Sequence, residues 1–135
     1  MGFVRPLPAA MTEDHSAPIP HLSQPQTLQL VLTTEAGPDR AQALATQLLE
    51  RRLVACVSLL PVQSHYRWQG RISCSEEVQL LLKTSLERLE DLRQAVLELH
   101  SYETPEWIHW PAASGGAYAQ WLLESLSPDV GPPAP

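Results

Sequence analysis

A short segment that follows a helical pattern concentrates side chains that could do chemistry. His100, Tyr102, Glu103 and Glu106 place an imidazole, a phenol and two carboxylates close together in the chain. Burying such groups unpaired costs about 1–3 kcal/mol each, so a packed core gains little from them. The segment is therefore either a solvated connector or a site that faces a ligand.

Lys83 is the only lysine of the chain, and Glu77 precedes it on the same face of a predicted strand. Six residues of strand span about 20 Å, so these two side chains cannot pair within the strand. Each is either solvated, as exposed Lys and Glu usually are, or paired with another element or subunit. A single cation at the end of an apolar run would suit an anionic ligand or a nearby carboxylate.

The two cysteines differ in their surroundings. Cys56 lies in an apolar strand pattern, which is typical of a small core residue, whereas Cys74 has polar neighbours and is expected to be exposed. No Cys-x-x-Cys or His-x-x-x-His spacing occurs, so a closed structural zinc site is not indicated. Two alternatives stay open. One is a soft-metal site of Cys56, Cys74, His65 and His100, and the other is a Cys56 nucleophile with His100 as its base.

Strand-like and helical patterns alternate along the chain and position these residues. Strands are predicted at 27–34, at 54–60 and 65–68 with an interruption at Pro61, at 76–84, and at 106–110. Helices are predicted from Pro38 to about Arg52, from a capping box of Thr84 and Glu87 to Leu99, and from a Ser114 cap to Leu126. This order predicts an α+β fold of the ferredoxin-like βαββαβ type with an extra C-terminal helix.

The predicted hairpin from Val54 to Thr84, which turns at Gln69-Gly70, is too long for a small sheet to cover. Tyr66 and Trp68 share one of its faces and are more typical of packing or an interface than of a platform for nucleic-acid bases. Because exposed strand edges are normally paired or hidden, the hairpin predicts an oligomer.

The composition bounds the architecture and the compartment. A length of 135 residues favours one domain. We expect that domain at 26–127, between a disordered proline-rich arm at 1–25 and a disordered tail at 128–135. A net charge of -6 argues against nucleic acid and anionic membranes as partners, and no apolar run is long enough for a transmembrane helix. Two cysteines in a chain of this size favour reduced thiols and a cytoplasmic protein.

Four motifs resemble those of the CutA divalent-cation-tolerance family. They are Arg52-Leu53-Val54-Ala55-Cys56-Val57 for R-L-A-A-C-V, the run from Tyr66 to Ile72 for Y-x-W-x-G-x-I, Glu77 with Lys83-Thr84 for E-x5-K-T, and the run from His100 to Glu106 for H-P-Y-E-x-P-E. They occur in the family's order. Ser101 replaces the usual proline, which is expected to loosen that turn, and Trp107 and Trp110 are bulkier than the usual aliphatic residues.

The resemblance implies a tight homotrimer, similar in architecture to the PII signalling proteins. It also implies tolerance and binding of copper or another divalent ion, with no organic cofactor and no established enzymatic activity. The shared polar positions would line clefts between subunits. By this resemblance the ligand cleft comprises Tyr66, Trp68, Glu77, Lys83, Tyr102, Glu103 and Glu106, and the candidate metal ligands are Cys56 and His100.

Three functions remain from the sequence. The first is a trimeric regulatory protein that binds a divalent metal ion or a small anion. The second is a small enzyme that uses Lys83, Glu103 or His100 for acid–base chemistry, and the third is a purely structural trimer. The missing nucleophile triad, phosphate loop and metal motif favour the first or the third. We also expect Lys83 and Glu77 to meet the turn after the second predicted helix in one cleft at a subunit boundary.

Overall fold

The computed structural model describes residues 25–128, which fold as an α+β domain. Its elements are β1 (Gln26–Glu35), α1 (Pro38–Glu50), β2 (Cys56–Trp68), β3 (Arg71–Thr84), α2 (Leu89–Leu99), β4 (Ile108–Ser114) and α3 (Gly116–Ser125). The strands form one sheet in the order β2-β3-β1-β4, and neighbouring strands are antiparallel. The predicted α+β fold with an extra C-terminal helix is confirmed. The arm and the tail lie outside the described residues, except for Pro25 and Pro128.

One face of the sheet carries the main core, which α1 and α2 cover. Val31 on β1 faces Leu82 on β3 across the ladder, and both side chains are fully buried. Alanine and leucine recur on α1 at helical spacing, so the helix presents one apolar stripe to this face. The buried residues of α1 are Ala41, Leu44, Ala45 and Leu48, and those of α2 are Leu92, Ala95 and Val96. The four residues of α1 are the apolar positions whose helical spacing predicts the first helix in the sequence.

The other face of the sheet is only partly covered. α3 packs on one end of it, where Leu28 contacts a small cluster with Leu122 and Leu126. Because side chains alternate along a strand, the strand registers place a further set of residues on this face, away from α1 and α2. Its large exposed apolar members are Leu60, Tyr66, Trp68, Ile108 and Trp110. We call this set the uncovered face.

β2 and β3 form a hairpin that pairs without a break from Cys56–Lys83 to Trp68–Arg71. Its turn residues have positive φ, 49° at Gln69 and 75° at Gly70, as a two-residue hairpin turn requires. The predicted interruption at Pro61 is wrong. β2 is an edge strand, where a missing N–H need not remove a ladder hydrogen bond.

Two predicted helix caps are also absent from the structure. The Thr84 hydroxyl donates to the Leu53 carbonyl at 2.7 Å instead of capping α2, and the chain makes a 3₁₀ turn at Leu86–Arg88 before that helix begins. Ser114 ends β4, and Gly115 occupies the N-cap position of α3 without a side-chain cap. Thr84 and Ser114 are both strand residues, so neither side chain caps the helix that follows it.

Candidate functional site

His100 anchors the turn that follows α2 to the end of β1. Its Nε2 lies 2.7 Å from the Thr34 carbonyl oxygen, and its Nδ1 lies 2.9 Å from the backbone nitrogen of Tyr102. The carbonyl can only accept and the backbone N–H can only donate, so the proton belongs on Nε2. The side chain is buried, and both ring nitrogens have protein partners. In this arrangement His100 fixes the turn and offers no free nitrogen to a metal ion.

Glu35 is a buried member of the site that the sequence analysis missed. Its carboxylate accepts from the backbone N–H groups of Ala36 at 2.8 Å and Ser101 at 3.1 Å, and from the Ser101 hydroxyl. Burial alone would raise the pKa of this carboxyl, but these hydrogen bonds outweigh it and hold the pKa below its usual range. The only sequence signal is a carboxylate at the end of an apolar strand.

The expectation that Ser101 loosens the turn is wrong. Both of its donors, the backbone N–H and the hydroxyl, bind the carboxylate of Glu35 on β1. A proline at this position would have neither donor. Ser101 therefore ties the turn to the sheet through a contact that the family's usual residue cannot make.

A set of polar residues borders the uncovered face, and we call it the rim cluster: Thr34, Glu77, Tyr102 and Glu106. The Tyr102 hydroxyl donates to Glu77 Oε2 at 2.6 Å, and the Thr34 hydroxyl donates to Glu106 Oε1 at 3.0 Å. Burial is the main cause that raises the pKa of the Tyr102 phenol above its usual range, and the hydrogen bond to Glu77 raises it further. Glu103 is exposed on the same turn. The turn therefore presents carboxylates beside an apolar surface.

Lys83 is the last residue but one of β3 and lies away from the rim cluster. Its ammonium donates to the Tyr118 hydroxyl on α3 at 3.2 Å, and this hydrogen bond raises the pKa of Lys83 above its ordinary value. Cys56 faces Lys83 across the β2–β3 ladder. Six residues of β3 separate Lys83 from Glu77, or about 20 Å of strand. One chain therefore brings neither Lys83 nor Cys56 to His100.

The remaining residues of the predicted cleft lie on the hairpin. Tyr66 hydrogen-bonds to Ser75 at 2.6 Å between the two oxygen atoms, and Trp68 is exposed beside the turn. The nine predicted positions are thus divided among the rim cluster with its turn, the Lys83 end of the sheet, and the hairpin.

The grouping of possible metal ligands within one chain decides whether that chain can hold an ion by itself. Within residues 25–128, no three His, Cys, Asp or Glu side chains are grouped so that they could hold a metal ion. Cys56 and His100 also lie apart. The described residues of one chain therefore do not fit a resident metal of the predicted Cys–His type. The same part of the chain has no helix that is both long and apolar enough to cross a membrane.

The two thiols are expected to differ in their rate of alkylation. Cys74 is exposed, whereas Cys56 is only partly exposed. Because alkylation requires access to the sulfur, iodoacetamide should modify Cys74 first. Mass spectrometry of peptides from timed quenches measures both rates, and the urea-unfolded chain is the control in which the rates should converge. Equal rates in the folded protein would contradict this expectation.

Comparison with known proteins places this fold in a family. The family model for the CutA1 divalent ion tolerance protein matches residues 29–125. The divalent-cation tolerance protein CutA of Thermus thermophilus is 38% identical over 99 residues, which are 72% of this chain and 96% of that protein. Among solved structures, CutA from Synechococcus elongatus has 42% sequence identity and a TM-score of 0.75, covering 79% of this chain and 99% of its own.

A second solved structure, the periplasmic divalent cation tolerance protein CutA of Archaeoglobus fulgidus, has 30% identity and a TM-score of 0.71. It covers 74% of this chain and 99% of its own. The matched region includes all four strands of the sheet and the turn that carries His100. On these grounds the chain belongs to the CutA1 family of divalent ion tolerance proteins.

Proposed function

We propose that this protein acts in divalent-cation tolerance as a homotrimer that binds a copper-type ion and has a regulatory role. The observation that carries the proposal is that the rim cluster borders the uncovered face. A neighbouring chain that covers the apolar face would also enclose the adjacent carboxylates in a cleft. The family's divalent-cation tolerance supports an ion as the ligand.

The uncovered face supports self-association. Its exposed aromatic and aliphatic side chains lie on the two edge strands, β2 and β4. Leu30, Leu32 and Leu81 on the two strands between them are partly exposed on the same face. Apolar surface of this kind typically marks an interaction site. The second copy of the chain is the occupant that the family resemblance implies, in an assembly like that of the PII proteins. In a trimer, Lys83 of one subunit would also approach the rim cluster of another subunit.

The proposed ligand is a divalent ion held by the exposed carboxylates of the turn. Glu103 and Glu106 are exposed on the turn, and Glu77 on β3 accepts a hydrogen bond from Tyr102 of the same turn, so the turn and β3 both offer acidic groups to the proposed cleft. At a site of oxygen and nitrogen donors, Cu²⁺ binds more tightly than the other first-row divalent ions. Lys83 would instead attract a small anion. The groups that bind the anion therefore differ from the carboxylates that hold the metal ion. Neither cysteine is in a disulfide, which supports a cytoplasmic location.

Titration calorimetry of the full-length protein with Cu²⁺, Zn²⁺ and an adenine nucleotide tests this proposal. Glu103→Ala should weaken Cu²⁺ binding by about tenfold, since it removes a ligand, and Lys83→Ala should weaken binding of the anion. Glu90→Ala, which removes an exposed carboxylate on α2, is the matched control and should change neither.

A structural role is the competing candidate, and one observation favours it. Glu35, His100 and Tyr102 all have partners within the chain, as the members of a purely supporting network would. If Lys83→Ala and Glu103→Ala both leave ion and anion binding unchanged, the cleft is structural and the binding proposal is wrong.

A further inference from the structure

The hairpin carries a thiol–imidazole pair that the proposed cleft does not use. Cys74 and His65 are directly opposite each other in the β2–β3 ladder, and both are exposed. The Cys74 Sγ atom lies 3.7 Å from His65 Nε2. His65 and Cys74 are two of the four residues of the soft-metal site considered from the sequence, and the fold separates them from the other two, Cys56 and His100.

We propose that His65 and Cys74 form a binding site for a thiophilic divalent cation of the zinc and cadmium class. Zinc binds thiolate sulfur at about 2.3 Å and imidazole nitrogen at about 2.0–2.1 Å, so two such ligands of a tetrahedral ion are about 3.6 Å apart. The observed separation of sulfur and nitrogen is 3.7 Å. The pair is thus already spaced as two corners of a tetrahedral site.

Two polar side chains lie next to the thiol and the imidazole on the hairpin. Gln63 and Glu76 face each other one step along the ladder, on the same side of the hairpin as the thiol and the imidazole. Gln63 Oε1 already lies 3.3 Å from His65 Nε2, and Glu76 is exposed. Water molecules would fill the remaining positions around the ion. The site is of the open kind, with two protein ligands held by the ladder.

Binding exchanges a proton for the ion. The S–H bond of Cys74 breaks, its proton passes to solvent, and the thiolate sulfur forms a bond to the cation. The imidazole binds through the Nε2 lone pair, with its proton on Nδ1. No electrons are transferred. Affinity should therefore rise with pH as proton release becomes easier.

The pair lies on the other side of the hairpin from the uncovered face. Tyr66 and Trp68 alternate with His65 along β2, so a neighbour that covers them leaves the thiol and the imidazole accessible. The site is distinct from the cleft of the proposed function and does not rest on it. The two can therefore be tested separately in the same protein.

Cadmium titration of the reduced, metal-free, full-length protein tests the site, with the ultraviolet charge-transfer absorbance of the cadmium–thiolate bond as the signal. We expect the absorbance to saturate at one ion per chain, to be lost in Cys74→Ser, and to persist in Cys56→Ser. His65→Asn should keep the thiol but weaken binding by at least about tenfold, the lower range seen when groups that support a metal site are removed.

Three results would overturn the proposal: an absorbance that survives Cys74→Ser, one that Cys56→Ser abolishes, or a His65→Asn variant that binds cadmium as tightly as the parent. The last would mean that a bare exposed thiol captures the ion. Thermal melts verify that each exposed-site variant is folded. Glu103→Ala separates the two sites, because it should weaken copper binding in the cleft and leave the cadmium titration unchanged.

Discussion

Replacing Ser101 with proline is expected to lower the free energy of unfolding by about 2–4 kcal/mol, because it leaves a buried carboxylate without two of its donors. The backbone N–H and the hydroxyl of Ser101 both bind Glu35, and proline has neither. The backbone itself should accept the change, since His100 has φ −68° and ψ 145°, the extended conformation favoured before a proline. The loss should therefore come from the stranded carboxylate.

A second substitution tests whether the stranded carboxylate of Glu35 causes the loss of stability. Glu35→Ala in the Ser101→Pro chain removes the stranded group, so the double variant should regain most of the lost stability even though Glu35→Ala alone is destabilising. Urea unfolding of the four chains gives the coupling free energy directly. Additive effects of the two substitutions would show that Ser101 and Glu35 do not act as a pair.

The same pair should make stability depend on pH in the acid range. The folded-state pKa of Glu35 is lower than the unfolded value, so its contribution is complete above the unfolded pKa and is lost as pH falls through the folded pKa. The parent chain should therefore lose more stability on acidification than the double variant does.

Replacing Leu60 with glutamate should convert the proposed trimer into a monomer. Leu60 is 58% exposed in the single chain and lies on the uncovered face, so a charge there costs the isolated fold little. In an assembly the glutamate carboxylate would be buried without a partner of opposite charge. Its desolvation cost would therefore destabilise every subunit interface. Light scattering at a series of concentrations measures the mass.

Leu97→Glu is the matched control for this change. Leu97 is 49% exposed on α2, away from the uncovered face, so a glutamate there should leave the assembly intact. A parent protein that already has the mass of one chain in dilute buffer would refute the trimer. So would an unaltered mass for Leu60→Glu, because the interface would then lie elsewhere.

The fold was predictable because its signals are local and periodic. The apolar residues of α1 recur at helical spacing, and Gln69-Gly70 fits the tight turn between two extended runs. The errors occur where a local pattern competed with a distant partner. Thr84 has the sequence context of a helix cap, yet its hydroxyl binds the carbonyl of Leu53.

The candidate site was predictable in content but not in arrangement. The segment from His100 to Glu106 contains the chemistry, but the partners that determine its role come from far along the chain. Glu35 lies in β1, and no spacing in the sequence relates it to the turn, whereas Glu77 in β3 was expected to meet the turn. Lys83 was expected at the same cleft, but its observed partner is Tyr118, and only the return of α3 across the sheet brings the two together.

The prolines of the edge strands have a consequence for solubility at high concentration. The sheet ends at β2 on one side and β4 on the other, and Pro61 and Pro111 lie within these strands. A strand that interrupts its row of N–H donors is a poor template for another chain to extend. Both margins of the sheet thus resist open-ended growth into fibrils, while the apolar face remains free for an association that closes on itself.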